Sequence, residues 1–330
     1  MLPFFMWHFG CCHFNKVFLI VNDGLSMQAL WMVVAAFLFS IMGVCVKLAS
    51  EFYSTAEIVS FRGVMGILMI GVLVWWHKGT LRTTMFKAHF WRGVFGLVAL
   101  SMWFYSMTKL PLSLAVTLSY MSSIWVAVIL FMQNWWQHRG EHTVHMKPHL
   151  IIALILGFVG VVLLLSPTIR EDQFIDSMLA LVSGMLAAMA YIQVRDMGLR
   201  GEPEYRIVFY FSGLCALLGL IAAFSHPIVF SSAQIIAHSS GGIFDVKNMM
   251  LLLIVGLTAT TAQMAMTRAY RIGNPLIVAN LQYVGIVFAS GWDFLIWDVS
   301  LSWISWIGIA IILSSGMLAS YQNRKVVVKE

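Results

Sequence analysis

The chain has 330 residues, of which 60% are hydrophobic and only 10% charged, with a mean hydropathy of +0.87. Soluble domains carry about 25% charged residues, so 20 basic and 14 acidic side chains are too few to cover a water-facing surface. Disorder is excluded by the apolar content, collagen by 25 glycines without a period, and a disulfide scaffold by four cysteines with no CxxC. What fits is a polytopic membrane protein, in which the net charge of +6 orients spans rather than attracting nucleic acid.

Residues 1–26, MLPFFMWHFGCCHFNKVFLIVNDGLS, are apolar but interrupted by Pro3, Gly10 and Asn15, and lack the basic start of a signal peptide. They read as a peripheral segment, or as an extension upstream of a start at Met27. Ten segments then reach or approach the ~20 apolar residues a membrane crossing needs: about 29–49, 56–76, 88–108, 111–133, 149–167, 177–195, 206–225, 249–270, 275–297 and 302–321. All seven prolines, Pro3, Pro111, Pro148, Pro167, Pro203, Pro227 and Pro275, fall at or beyond segment edges, where proline starts or stops helices. His138, His142, His145 and His149 have helical spacing. No Cys or carboxylate completes a tetrahedral set there, so they read as a solvated loop and no metal is expected.

With the N-terminus inside, Lys16, Lys78, Arg82, Lys87, Arg92, Arg139, Lys147, Arg195, Arg200, Arg206, Arg268, Arg271, Arg324, Lys325 and Lys329 fall on the inner side. Only Lys47, Arg62, Lys109, Arg170 and Lys247 fall outside or within spans. This positive-inside bias places both termini in the cytoplasm, across a bacterial-type inner membrane.

Polar residues inside spans cost free energy and should face protein or water. Ser40, Ser101, Thr117 and Thr258 can bond back to their own helix. Gly43, Gly63, Gly66, Gly157 and Gly160 suit close helix packing, and Trp31, Trp75, Trp76, Trp135, Trp136, Trp297 and Trp303 suit interfacial belts. The residues left over are candidates for a substrate cavity: Arg62, Trp103, Tyr105, Tyr120, Gln193, Gln263, Asn280, Gln282 and Tyr283. Lys47, Arg62 and Asp293 are candidates for gating or coupling. Arg62 and Asp293 both lie roughly 6–9 Å below the outer surface at 1.5 Å per residue, so either each charge reaches outward to headgroups or Asp293 pairs with Arg62 or Lys47 across the repeat interface.

Five spans per half imply an inverted repeat, because an odd count flips the second half. LSLAVTLSYMSSIWVAVILF (112–131) lies beside PLIVANLQYVGIVFASGWDF (275–294), so that Tyr120 matches Tyr283 and Leu118 matches Leu281. Their lead-ins, WFYSMTKLP and MTRAYRIGNP, are also alike. With GFVGVVLLL in span five, Asp298 after span nine and WIGIAIILSSGML in span ten, the chain over Gln28–Tyr321 resembles the EamA-type branch of the drug/metabolite transporter superfamily. The resemblance implies an all-α integral membrane fold of ten transmembrane helices in two inverted five-helix repeats, 27–168 and 169–322, followed by a cytoplasmic tail, 323–330. It also implies a substrate cavity between the repeats. Family members often carry proline in the middle of spans four and nine. Here Ser122-Ser123 and Gly285-Ile286 stand there, so the residues do not dictate an interruption. The acidic residue common after span four is absent, with Trp135-Trp136 near that position.

No GxxxxGK[ST] loop or ATPase-sized extramembrane segment exists, so any transport is secondary, with no cofactor. The expected function is transport of a small metabolite (an amino acid, vitamin, nucleoside-like or related solute) by alternating access. The expected partners are that substrate, the lipid bilayer, a coupling proton and, as an open question, a second copy of the chain. An enzyme would need clustered His, Asp or Glu at the membrane face, which the spans lack. A channel or a structural membrane protein is the other alternative.

Overall fold

A computed structural model describes residues 27–137, 148–165, 173–224, 246–298 and 302–327. The first 26 residues and the side chains of His138, His142, His145 and His149 lie outside this set. The described chain is helical: α1 Met27–Ala49, α2 Thr55–Trp76, α3 Phe86–Lys109, α4 Leu112–Tyr120, α5 Ser122–Gln137, α6 Pro148–Leu165, α7 Phe174–Leu199, α8 Glu204–Phe224, α9 Val246–Ile272, α10 Pro275–Leu281, α11 Val284–Trp297 and α12 Trp303–Val327.

Seven stretches among the described residues are long and apolar enough to cross a membrane, counting Leu112–Gln133 and Pro275–Trp297 as one each. Shorter apolar helical stretches lie at Ile151–Leu163 and Trp306–Ser315. Helix α3 carries Lys87, His89 and Arg92 in its first two turns, which lowers its apolar character. The outward surface is apolar, with Leu68, Val72, Ile152 and Ile155 exposed. Water would not tolerate so large an apolar surface, whereas lipid does. Trp75 and Trp76 end α2, and Trp303 begins α12, all strongly exposed, as interfacial tryptophans are.

Local sequence sets the helix starts. Ser54 accepts the Glu57 N–H at 3.3 Å while Glu57 Oε2 accepts the Ser54 N–H at 2.7 Å, a reciprocal cap at the start of α2. Asn274 caps Leu276 ahead of α10, with Pro275 in the first helical turn. The Asn274 N–H also donates to Gln28 Oε1 at 2.6 Å, tying α1 to the α9–α10 turn.

The main packing partners are α1 with α9, α3 with α7, α2 with α8 and α6 with α12. The half-helices α4 and α5 pack on α11 and α10 in turn. Gly63 lets α2 approach α8 closely. A Cβ there would overlap the Ala216 backbone nitrogen and come within 2.7 Å of Ser212 O. Gly219 on α8 faces Ser60 in the same way.

One end of the bundle is held by charged contacts. Glu202, between α7 and α8, meets His89 Nε2 at 2.8 Å and Arg206 Nη1 at 3.0 Å. Arg206 donates to Thr80 O at 3.0 Å and Tyr210 to Leu81 O at 3.0 Å, fastening the α2–α3 loop. Arg271 pairs with Glu204 at 2.7 Å. His89 is thus buried. Burial pushes the Glu202 carboxyl up, but hydrogen bonds from His89 and Thr83 and the Arg206 charge outweigh this and hold it below the usual carboxylate range. A lowered folded pKa contributes stability above the unfolded value, about 4.3 for Glu, which is lost as pH falls through the folded value. Thermal unfolding in detergent is therefore expected to drop in temperature below about pH 4, and Glu202→Gln is expected to flatten that drop while destabilising the protein at pH 7.

Candidate functional site

The two spans that resemble each other in sequence are both interrupted at mid-length. Between α4 and α5 the Met121 N–H is shared between Thr117 O at 3.2 Å and Leu118 O at 3.3 Å, and the Ile124 N–H bonds to Met121 O at 3.0 Å. Between α10 and α11 the Gln282, Tyr283 and Gly285 N–H groups bond three residues back, at 3.2, 3.2 and 2.8 Å. Each is a single tightened turn of the kind that marks hinges within helices. No proline is involved.

The turns face each other across a buried polar network. Ser122 Oγ donates to Gln282 Oε1 at 3.0 Å, and Gln282 Nε2 donates to Tyr270 Oη at 3.1 Å. The Tyr191 ring stacks on that of Tyr270 with centroids 5.1 Å apart. Ser123 Oγ donates to Ala279 O, joining α5 to α10. Tyr120 rests on Gly285, where a Cβ would sit 2.7 Å from Tyr120 Cε2, and Tyr283 rests on Gly157 of α6.

Arg62 is buried beside this network. Its Nη2 lies 3.5 Å from Gln263 Oε1, its Nη1 lies 3.7 Å from Cys215 Sγ, and its guanidinium carbon lies 5.1 Å from the centre of the Phe211 ring. Trp103 is buried with its ring edge-on to Phe39, 6.5 Å between centroids. Asn280 turns toward α6, where Nδ2 donates to Ala153 O at 3.0 Å. Tyr105 and Gln193 are half-buried. The sequence candidates thus divide. Arg62, Gln263, Gln282 and Tyr120 belong to the network and its borders, whereas Asn280 and Tyr283 face α6.

The alternative of an Asp293–Arg62 ion pair gives way to two separate arrangements. Asp293 Oδ2 accepts the Ser113 N–H at 2.7 Å, so the carboxylate caps one N–H at the positive dipole end of α4. Lys47 lies 4.4 Å over the Trp297 ring with Asp293 nearby. Arg92, counted from sequence with the inner loops, is instead buried within α3, its guanidinium 3.8 Å from the centre of the Phe211 ring. Sequence reasoning missed Arg92, Tyr191, Tyr270 and Ser122. Arg92 did carry a signal, since it stands a full turn inside an apolar segment. Among the described residues no group of three or more His, Cys, Asp or Glu side chains could hold a metal.

The EamA-like transporter family matches residues 26–166. A pseudopaline exporter of Pseudomonas aeruginosa is 31% identical over 84% of this chain and 90% of its own. An S-adenosylmethionine uptake transporter of Rickettsia bellii is 21% identical over 94% of this chain and 100% of its own. A crystal structure 15% identical in sequence covers 91% of this chain and 100% of its own at a TM-score of 0.68, and so shares the fold. With an exporter 31% identical over most of both chains, this protein belongs to the EamA-like transporter family of the drug/metabolite transporter superfamily.

Proposed function

We propose that the protein is a secondary transporter that exports a small organic metabolite across a bacterial inner membrane by alternating access. The observation that carries this reading is the pair of facing interruptions, Met121 and Gln282–Tyr283, which place a buried polar network midway along two spans. Transporter sites are built at interrupted helices near the midplane, where the freed backbone and adjoining side chains meet solute. In this reading the chain crosses ten times, as inverted repeats 27–168 and 169–322, with both termini cytoplasmic. The packing supports the repeat. Helix α1 packs on α9 as α3 packs on α7, which is the exchange a two-fold axis requires if α1 corresponds to α7 and α3 to α9. Export is favoured because the 31% identical relative is named an exporter. In the same reading Arg62, Trp103, Tyr105, Tyr120, Gln193, Gln263, Asn280, Gln282 and Tyr283 line or border the solute path, and Asp293 with Lys47 couples it to protons.

The test is a panel of labelled metabolites in proteoliposomes of the purified protein. Saturable movement of an unchanged solute, driven by a pH gradient, is expected. Linear flux would indicate a pore, and a modified solute an enzyme. Asp293→Asn is expected to abolish the dependence on the gradient, and an unchanged pH profile would remove Asp293 from the coupling role. A reporter fused after Glu330 is expected to be cytoplasmic.

A further inference from the structure

Arg62 and Arg92 are both almost fully buried, at 5% and 2% exposure. Each stands in the second turn of its helix, and α2 and α3 are consecutive helices of a bundle, so these turns start from opposite ends. Arginines near helix ends ordinarily snorkel outward to water or headgroups. That would carry these two apart. Instead both turn inward onto one ring, Phe211 of α8, at 5.1 and 3.8 Å.

Among the described residues nothing neutralises them. Arg62 Nε, Arg92 Nε and Arg92 Nη1 are buried without a hydrogen-bond partner, as is Gln263 Nε2 beside them. The two contacts that Arg62 does make, at 3.5 and 3.7 Å, are at the outer limit of hydrogen bonding. Among the described residues, the acids that are buried or bonded are engaged elsewhere. Glu202 is on His89 and Arg206, Glu204 on Arg271, Asp293 on the Ser113 N–H, Glu57 on Ser54 and Asp196 on Arg200. An aromatic face attracts a cation but does not replace a counter-ion, and an unpaired buried charge costs several kcal/mol. Two such charges on one ring repel each other as well. The arrangement is also spatially built. A Cβ at Gly96 would lie 3.0 Å from both Arg92 Nη1 and Phe211 Cε2, so glycine keeps that guanidinium in place.

We propose that Arg62, Arg92 and Gln263 form the anion subsite of the transport path, and that the transported metabolites are carboxylate-bearing organic acids. The unpartnered Arg62 Nε, Arg92 Nε and Arg92 Nη1 groups are charge-assisted donors that a carboxylate can accept from. The Gln263 amide supplies a further donor. The stacked Tyr191 and Tyr270 rings and the Gln282 amide lie alongside, and they suit the apolar or polar remainder of the solute. This proposal rests on the transporter reading and names its substrate class.

The test is equilibrium binding to the purified full-length protein in detergent, followed by thermal shift and intrinsic tryptophan fluorescence. The probes are succinate, glutarate, their dimethyl esters and sodium chloride at matched ionic strength. Saturable binding of the dicarboxylates is expected, without response to the esters or chloride. Arg92→Gln and Gln263→Leu are each expected to weaken it about tenfold or more, the loss of a charge-assisted or buried hydrogen bond. Arg62→Lys is expected to retain part of it, because the charge survives without the fork. Cys215→Ser is expected to leave binding within about twofold, as a thiol contributes only a weak hydrogen bond. An equal response to chloride would make this an inorganic-anion site and overturn the proposal. So would unchanged binding in folded Arg92→Gln or Gln263→Leu protein, or a loss in Cys215→Ser as large as in Arg92→Gln. If proteoliposomes move a solute saturably while no carboxylate binds, the transporter reading stands and this proposal falls. If carboxylates bind and nothing is moved, the anion site stands but its place in a transport path falls with the transporter reading.

Discussion

Gly63→Leu is expected to leave little or no folded protein recoverable from the membrane. The reason is backbone, not side-chain, crowding. A Cβ at this position overlaps the Ala216 nitrogen and lies 2.8 Å from the Ala216 Cα, atoms that cannot rotate away. The only relief is to separate α2 from α8, one of the most extensive helix contacts in the bundle. Separating them also draws Arg62, the next residue, away from Cys215 and Phe211. Overpacking of a tight core costs about 1–3 kcal/mol for small additions, so Gly63→Ala is expected to fold but to melt at lower temperature. Gly71 on the same helix is the control, since a Cβ there meets nothing within 4 Å. Gly71→Ala is expected to leave the melting temperature unchanged or raised, because alanine is the better helix former. Membrane yield of Gly63→Leu and thermal unfolding of Gly63→Ala and Gly71→Ala in one detergent decide the matter. Equal melting of Gly63→Ala and Gly71→Ala would mean that α2 and α8 do not meet as described.

Gln282→Leu is expected to reduce transport by about tenfold or more while the protein still reaches the membrane, because leucine fills the space but leaves two buried polar groups without a partner. Those groups are the Ser122 hydroxyl and the Tyr270 hydroxyl, which Gln282 joins at 3.0 and 3.1 Å. The amide is one of two cross-links between the interrupted spans, beside Ser123 to Ala279 O, so its loss loosens one hinge from the other. Ser122→Ala removes one of the same bonds. In a double-mutant cycle the pair is expected to be strongly non-additive, with a coupling of about 0.5–3 kcal/mol in transition-state or stability terms. The measurement is initial transport rate at matched abundance, together with the melting temperature of each variant. Additive effects would separate Ser122 from Gln282 and argue that the two interruptions act independently.

Much of the architecture was legible in the residues because membrane burial writes a one-dimensional signal. Apolar stretches of crossing length, with proline at their edges and basic residues between them, mark where helices run, since hydrocarbon forbids unsatisfied backbone in any other form. The polar residues Arg62, Gln263, Gln282 and Tyr120 stood out for the same reason: each is costly in lipid and so must turn to protein. The glycines at 63, 157 and 160 were read as packing positions, and the structure sets each against a neighbouring helix. The likeness of residues 112–131 to 275–294 was visible as well, and both stretches prove to be interrupted.

What remained hidden depended on direction around each helix and on length of reach, which tertiary packing alone decides. Residue depth along α2 and α11 suggested an Arg62–Asp293 pair, but depth does not say which way a side chain points. Arg62 turns to α8, and Asp293 caps α4. The interruption of span four occurs without proline, at a serine pair whose hydroxyls donate across to Gln282 Oε1 and Ala279 O of the partner span. Arg92 was counted with the inner-side charges, yet its long side chain, in the second turn of α3, reaches the same ring as Arg62. Composition determined that this protein lives in a membrane and roughly where it crosses. Only the packing of α2, α3, α8 and α9 decided that two positive charges meet inside it, because convergence from opposite helix ends is a property of three-dimensional arrangement and leaves no period in the chain.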